Sequence, residues 1–159
     1  MLKILGLDIS TTTIGIAILE IDEKKSTQEK LSSKILHLSY YKPLKNVHLY
    51  QMLSIAKKYI LDLVSLYSPD YVFIEDIILF MPKRSTAATV TALAIINRSI
   101  GLHIFEEYSE PILLSVSKIR SFLKCGNTKN PDKFDIPKIL EKKLKFNFPY
   151  EYNRNKKIR

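Results

Sequence analysis

The sequence has one cysteine, Cys125, no tryptophan and only four glycines in 159 residues. A single cysteine excludes an internal disulfide and any zinc site built from several thiolates. It also suits a reducing, intracellular compartment, and a cytoplasmic location is expected. No apolar run approaches the ~20 residues of a membrane span, so no membrane partner is expected. The first residues, Met1 to Gly6, run straight into strand-like sequence without the charged, apolar and small-residue zones of a secretory leader. What is present suits one folded domain: 46% of the residues are hydrophobic and 26% are charged, enough apolar surface for a core.

Acidic residues are scarce only in the last quarter. Residues 1–117 hold 12 basic and 12 acidic side chains. Residues 118–159 hold 13 basic and 4 acidic ones, which accounts for the whole net charge of +9. Such an asymmetry points one basic face at a polyanion. A lysine-rich solvated helix is the plainer explanation of the same numbers.

Periodicity gives the element order. Residues 2–9, 14–21 and 34–41 alternate as strands joined by short connections, an antiparallel meander. Residues 46–67 switch to helical spacing, with Leu49, Leu53, Ala56, Ile60, Leu63, Val64 and Tyr67 on one face and Asn46 as N-cap. Ser68-Pro69-Asp70 stops that helix, and "YVFIEDII" at 71–78 reads as a strand, placed parallel to an earlier one by the helical crossover. A second helix is expected at about 86–101, closed by Gly101. The short apolar segments 102–107 and 112–117 supply at least one fifth strand. "SKIRSFLKCG" predicts a short helix, and a basic loop leads to a final helix. Pro137 leaves the start of that helix open between caps at Asn130 and Asp135. The closing "NFPYEYNRNKKIR" is polar and basic.

Two strands carry an acid where a strand prefers an apolar residue: Asp8 in "LGLDIS" and Glu75 in "VFIED". If the crossover lays these strands side by side, two carboxylates approach each other and repel unless a cation joins them. Hard divalent ions with oxygen ligands, Mg²⁺ or Mn²⁺, meet that need, and a pair of such ions can clamp a phosphodiester. The alternative for each acid alone is a solvated strand end. Asp76 points to the opposite face from Glu75.

"LGLDISTTTIGIAIL", "SPDYVFIED" and "VSKIRSFLKCGNTKNPDK" together resemble RuvC-type Holliday-junction resolvases, which have the ribonuclease H-like fold. The resemblance implies an α/β domain with a mixed five-stranded sheet, three antiparallel strands followed by parallel ones, flanked by helices. It implies a homodimer that cuts branched double-stranded DNA, with two Mg²⁺ or Mn²⁺ ions per site. Asp8 and Glu75 would be the metal-binding catalytic acids. Phe80 matches an aromatic that stacks at the junction centre, and an ordinary core position is its alternative. Lys83 and Arg84 would meet phosphates, as would Lys118, Arg120, Lys124, Lys129 and Lys133, some of which are expected to be merely solvated.

The family also closes with a helix carrying an Asp-x-x-Asp-Ala pattern that completes its metal site. Asp132 and Asp135 have that spacing but precede the final predicted helix, and they read as loop or cap residues. The single domain is therefore expected to be truncated relative to the family, with weak metal affinity or with DNA binding alone. A third function is a sugar-kinase or actin-like ATPase, because "LDISTTTIG" also resembles a phosphate loop. That group needs two such domains. His37, His48 and His103 show no nucleophile partner in the sequence.

Overall fold

A computed structural model describes residues 1–25, 32–42, 47–77, 86–122 and 135–145. Its strands are β1 (Leu2–Ile9), β2 (Ile14–Ile21), β3 (Ser33–Tyr41), β4 (Tyr71–Glu75) and β5 (Ile112–Leu114). They form one mixed sheet in the order β3-β2-β1-β4-β5. The first three are antiparallel, and β4 and β5 add in parallel beside β1. The described helices are α1 (Leu49–Tyr67), α2 (Ala87–Glu107), α3 (Val116–Phe122) and α4 (Asp135–Leu144). This is the mixed, helix-flanked architecture expected from the sequence.

The first hairpin explains the run of hydroxyls after Asp8. Ser10 Oγ accepts from the N–H of Thr12 at 3.3 Å and of Thr13 at 3.0 Å, and donates to the Thr13 carbonyl at 2.8 Å. A short polar side chain here satisfies the backbone groups that a four-residue turn leaves unpaired.

The pleat sorts the strands into two faces. Leu5, Leu7 and Ile9 of β1, Ile14, Ile16 and Ile18 of β2, and Val72 and Ile74 of β4 are buried on one face. Leu53, Ala56, Ile60, Leu63 and Val64 of α1 and Ile96, Ile100 and Ile104 of α2 complete that core. The helical stripe read from the sequence is thus the packed face of α1. The Lys57–Glu107 ion pair at 3.1 Å ties the two helices together at their surface.

Several boundaries differ from the expected ones. The N-cap of α1 is His48, whose Nδ1 accepts from the Tyr50 N–H, and Asn46 lies outside the described residues. Strand β4 stops at Glu75. The second helix does not close at Gly101 but runs on to Glu107, because Ile104 continues the buried row of Ile96 and Ile100. One more turn of apolar burial outweighs the ~1 kcal/mol that an internal glycine costs. The missing side chain also lets α2 sit close to β4: a Cβ at Gly101 would lie 3.7 Å from Ile74 Cδ1. The fifth strand is Ile112–Leu114 alone, and the final helix starts at Asp135.

By length and composition alone α2 is long and apolar enough to cross a membrane, contrary to the expectation that no apolar run approaches a membrane span. Its polar residues are scattered, so no uninterrupted apolar run marks it. Here Ile96, Ile100 and Ile104 pack into the core, and 22% of its apolar window is buried.

Candidate functional site

The register of β1 against β4 is locked at one end by a reciprocal contact. The Asp70 N–H bonds the Lys3 carbonyl at 2.8 Å, and the Lys3 N–H bonds the Asp70 carboxylate at 2.7 Å. Lys3 Nζ adds a bond to the Tyr67 carbonyl at 3.0 Å. From there the parallel ladder runs Ile4 with Tyr71, Leu5 with Val72, Gly6 with Phe73 and Leu7 with Ile74. The next residue on each strand is an acid, Asp8 or Glu75. Residues level with each other on adjacent strands share a face, and the strands lie ~4.8 Å apart. The two acids are therefore neighbours on the face opposite the α1–α2 core, with Asp8 exposed and Glu75 half-buried.

The same row extends in both directions across the sheet. Asp8 pairs with Gly15, Gly15 with Tyr40, and Glu75 with Leu114. Leu114 is followed within two residues by α3, which carries Lys118 and Arg120. Both cations thus branch from the end of the row that holds the acids. Lys118 is exposed; Arg120 is half-buried, and its buried Nε has no hydrogen-bond partner among the described residues. Phe80, Lys83, Arg84, Lys124, Lys129 and Lys133 lie outside the described residues, as does Asp132. Asp135 is the first residue of α4.

Two residues near Glu75 had no signal in the sequence beyond being polar within an apolar helix. Asn97 of α2 is 1% exposed, the one polar residue among the buried side chains described. Its Nδ2 donates to the Glu75 carbonyl at 3.0 Å. A buried amide costs several kcal/mol unless it is bonded, so this contact is a strong constraint on where β4 ends. Arg98 then pairs with Asp76 at 2.8 Å, and the Asp76 N–H bonds the Leu114 carbonyl at 2.8 Å. Asp76 is thereby turned toward α2, as its strand parity predicted. At the far end of α2, Tyr108 donates to the Pro69 carbonyl just ahead of β4. Burial, and secondarily the Asp70 carboxylate, raises the Tyr108 phenol above its ordinary value, which keeps this donor protonated. Helix α2 thus grips β4 at both ends.

His37 is closer to a hydroxyl than its sequence context suggested. Its Nε2 lies 2.7 Å from Ser39 Oγ, which in turn meets Tyr59 Oη at 3.2 Å. Alternate residues of β3 share a face, and here that face meets α1. The chain of three groups links β3 to α1.

Among the described residues no three His, Cys, Asp or Glu side chains gather into a metal-binding group. The described donor set is the two-carboxylate pair. Paired carboxylates with one exposed member fit a hard divalent cation that keeps several waters, and they do not fit a soft, thiolate-seeking metal.

No protein-family model matches the sequence, and no curated protein matches it. Among solved structures, Thermus thermophilus RuvC overlaps with a TM-score of 0.72, covering 93% of this chain and 84% of that one at 15% identity. The chain has the RuvC fold. The structure of T. thermophilus RuvC in complex with a Holliday junction substrate agrees, with a TM-score of 0.72 at 13% identity over 95% of this chain and 85% of that one. In this RuvC fold the row Tyr40-Gly15-Asp8-Glu75-Leu114 crosses the sheet where β4 ends.

Proposed function

We propose that the protein is a metal-dependent endonuclease that hydrolyses phosphodiesters in branched, four-way DNA. The observation that carries this reading is the level placement of Asp8 and Glu75 on one sheet face of a RuvC fold. The solved RuvC complex with a junction substrate supports the choice of DNA. The +9 charge of the chain, all of it contributed from residue 118 onward, supports a polyanionic partner.

In this reading Asp8 and Glu75 hold Mg²⁺ or Mn²⁺, with two ions per site as the expected stoichiometry. When bound, such ions stabilise charge on a phosphate and make water a better nucleophile. The chain supplies the rest. Exposed Asp8 faces solvent, where a phosphate can approach. Asn97 fixes the main chain of Glu75 and so limits how far its carboxylate strays, and positional errors of this kind are costly in catalysis. Lys118 and Arg120 bind neighbouring phosphates and set register without reading bases. Cutting two strands of a junction with one site per chain calls for two copies, so a homodimer is part of the proposal.

The test is incubation of the full-length protein with a labelled synthetic four-way junction and Mg²⁺. Cleavage is expected, with loss in EDTA and in Asp8→Asn. Binding that survives both changes, without cleavage by the unaltered protein, would identify a junction-binding protein instead. The small described donor set is what keeps that second reading in view.

A further inference from the structure

We propose that Tyr40 is a stacking platform for a nucleobase beside the phosphate held at Asp8 and Glu75, reached across the bare backbone of Gly15. This inference rests on the nuclease reading and adds a substrate contact to it. Tyr40 stands level with Gly15, and Gly15 level with Asp8, so all three positions share the acid face. The pairing of Gly15 with Asp8 is seen in space as well: a Cβ at Gly15 would lie 3.6 Å from Asp8 Cβ. Any larger residue there would stand between the tyrosine and the acids. Glycine leaves that gap free of side chain.

Tyr40 itself is 66% exposed and has no hydrogen-bond or ring partner among the described residues. Its neighbour Tyr41 behaves in the opposite way, packing against the core and against Tyr59 at 5.9 Å between ring centroids. A large exposed ring on an edge strand is a liability unless something covers it. A nucleobase is the occupant that fits this position. Tyr40 lies two strand spacings from Asp8, ~4.8 Å each, within reach of a nucleotide next to the held phosphate. Exposed Lys42 follows two residues later and offers a cation to the backbone of the same strand. Leu144 and Lys145, at the end of α4, line a cleft with residues 33–38 of β3. Stacking on an aromatic face is tolerant of sequence, which suits an enzyme selecting a DNA shape.

The experiment uses full-length protein and a synthetic four-way junction carrying 2-aminopurine at successive positions beside the branch, with Ca²⁺ as the divalent ion. Unaltered protein is expected to change the fluorescence at one or two positions. Tyr40→Phe keeps that signal and the affinity. Tyr40→Ala loses the signal and weakens binding about 5- to 150-fold, the range that stacking energies of about 1–3 kcal/mol imply. Tyr40→Leu, which keeps bulk on the strand but removes the ring face, should follow Tyr40→Ala; it also covers a failure of the alanine variant to fold. Full signal and affinity in both variants overturns the proposal. So does a variant that turns a dimer into a monomer while leaving the fluorescence change intact, since the ring would then be covered by a second copy. If the unaltered protein does not bind the junction, the nuclease reading falls and this proposal with it. If it binds and cleaves but is indifferent to Tyr40, only the stacking platform falls.

Discussion

The two faces of the sheet are made by the same strands and differ in almost every physical respect. On one face Leu5, Leu7, Ile9, Val72 and Ile74 are buried under α1 and α2. On the other, the alternating residues Ile4, Gly6 and Asp8 of β1 and Tyr71, Phe73 and Glu75 of β4 are exposed or half-buried. The first face is held by apolar burial, which tolerates no charge without a partner. The second keeps polar groups beside solvent, where a substrate can reach them. A shift of one residue in register would exchange the two sets and lose both the core and the site. In the proposed function, stability and chemistry are therefore interleaved along each strand, and substitutions at adjacent positions should separate them.

The largest expected effect is on the open face. Asp8→Asn should lower junction cleavage in Mg²⁺ by about 10²- to 10³-fold, comparable to removing a key electrostatic group from an active site. Its thermal midpoint should stay near that of the unaltered protein, because Asp8 is exposed. A large loss of stability would mean that the acid is structural and would break the contrast between faces. Next comes the closed face: Ile74→Ala, at a side chain with 0% exposure, should cost about 2–5 kcal/mol in urea unfolding. Its neighbour Glu75→Gln should leave unfolding nearly unchanged while cleavage falls.

Asn97→Leu joins the two faces and should have an intermediate effect. Removing the amide deletes its hydrogen bond to the Glu75 carbonyl, worth about 0.5–1.5 kcal/mol. If the contact also positions Glu75, the Mg²⁺ concentration for half-maximal cleavage should rise in this variant beyond the change seen in Ile74→Val, a matched core lesion. Equal Mg²⁺ requirements would reduce Asn97 to a packing role. The smallest effect is expected at Arg98→Ala, which breaks a half-exposed ion pair to Asp76 and should cost under about 1 kcal/mol.

Much of this arrangement was legible in the sequence because it depends on local periodicity. The period-2 pattern of residues 2–9 and 14–21 and the helical stripe from Leu53 to Val64 correspond closely to the structure. The acids at Asp8 and Glu75 stood out as charges inside apolar strands. The end of α2 was misjudged because glycine is a strong local stop signal, whereas the burial of Ile104 is a tertiary effect. Asn97 and Arg98 carry no local signal beyond interrupting an apolar helix. Their meaning depends on facing the end of β4, some twenty residues earlier in the chain. The contact between His37 and Ser39 was missed although their i, i+2 spacing in a strand is enough to predict a shared face.

The sequence alone determined which residues alternate, where helical spacing begins and which two strands carry an acid, because these follow from the backbone's fixed repeats. Only the tertiary structure decided that Asp8 and Glu75 stand level, that Asn97 secures the strand end beside them and that Gly15 leaves the way open to Tyr40. Register between distant strands is set by the Lys3–Asp70 lock and by burial of the opposite face. Those interactions act through space, and no repeat along the chain encodes them.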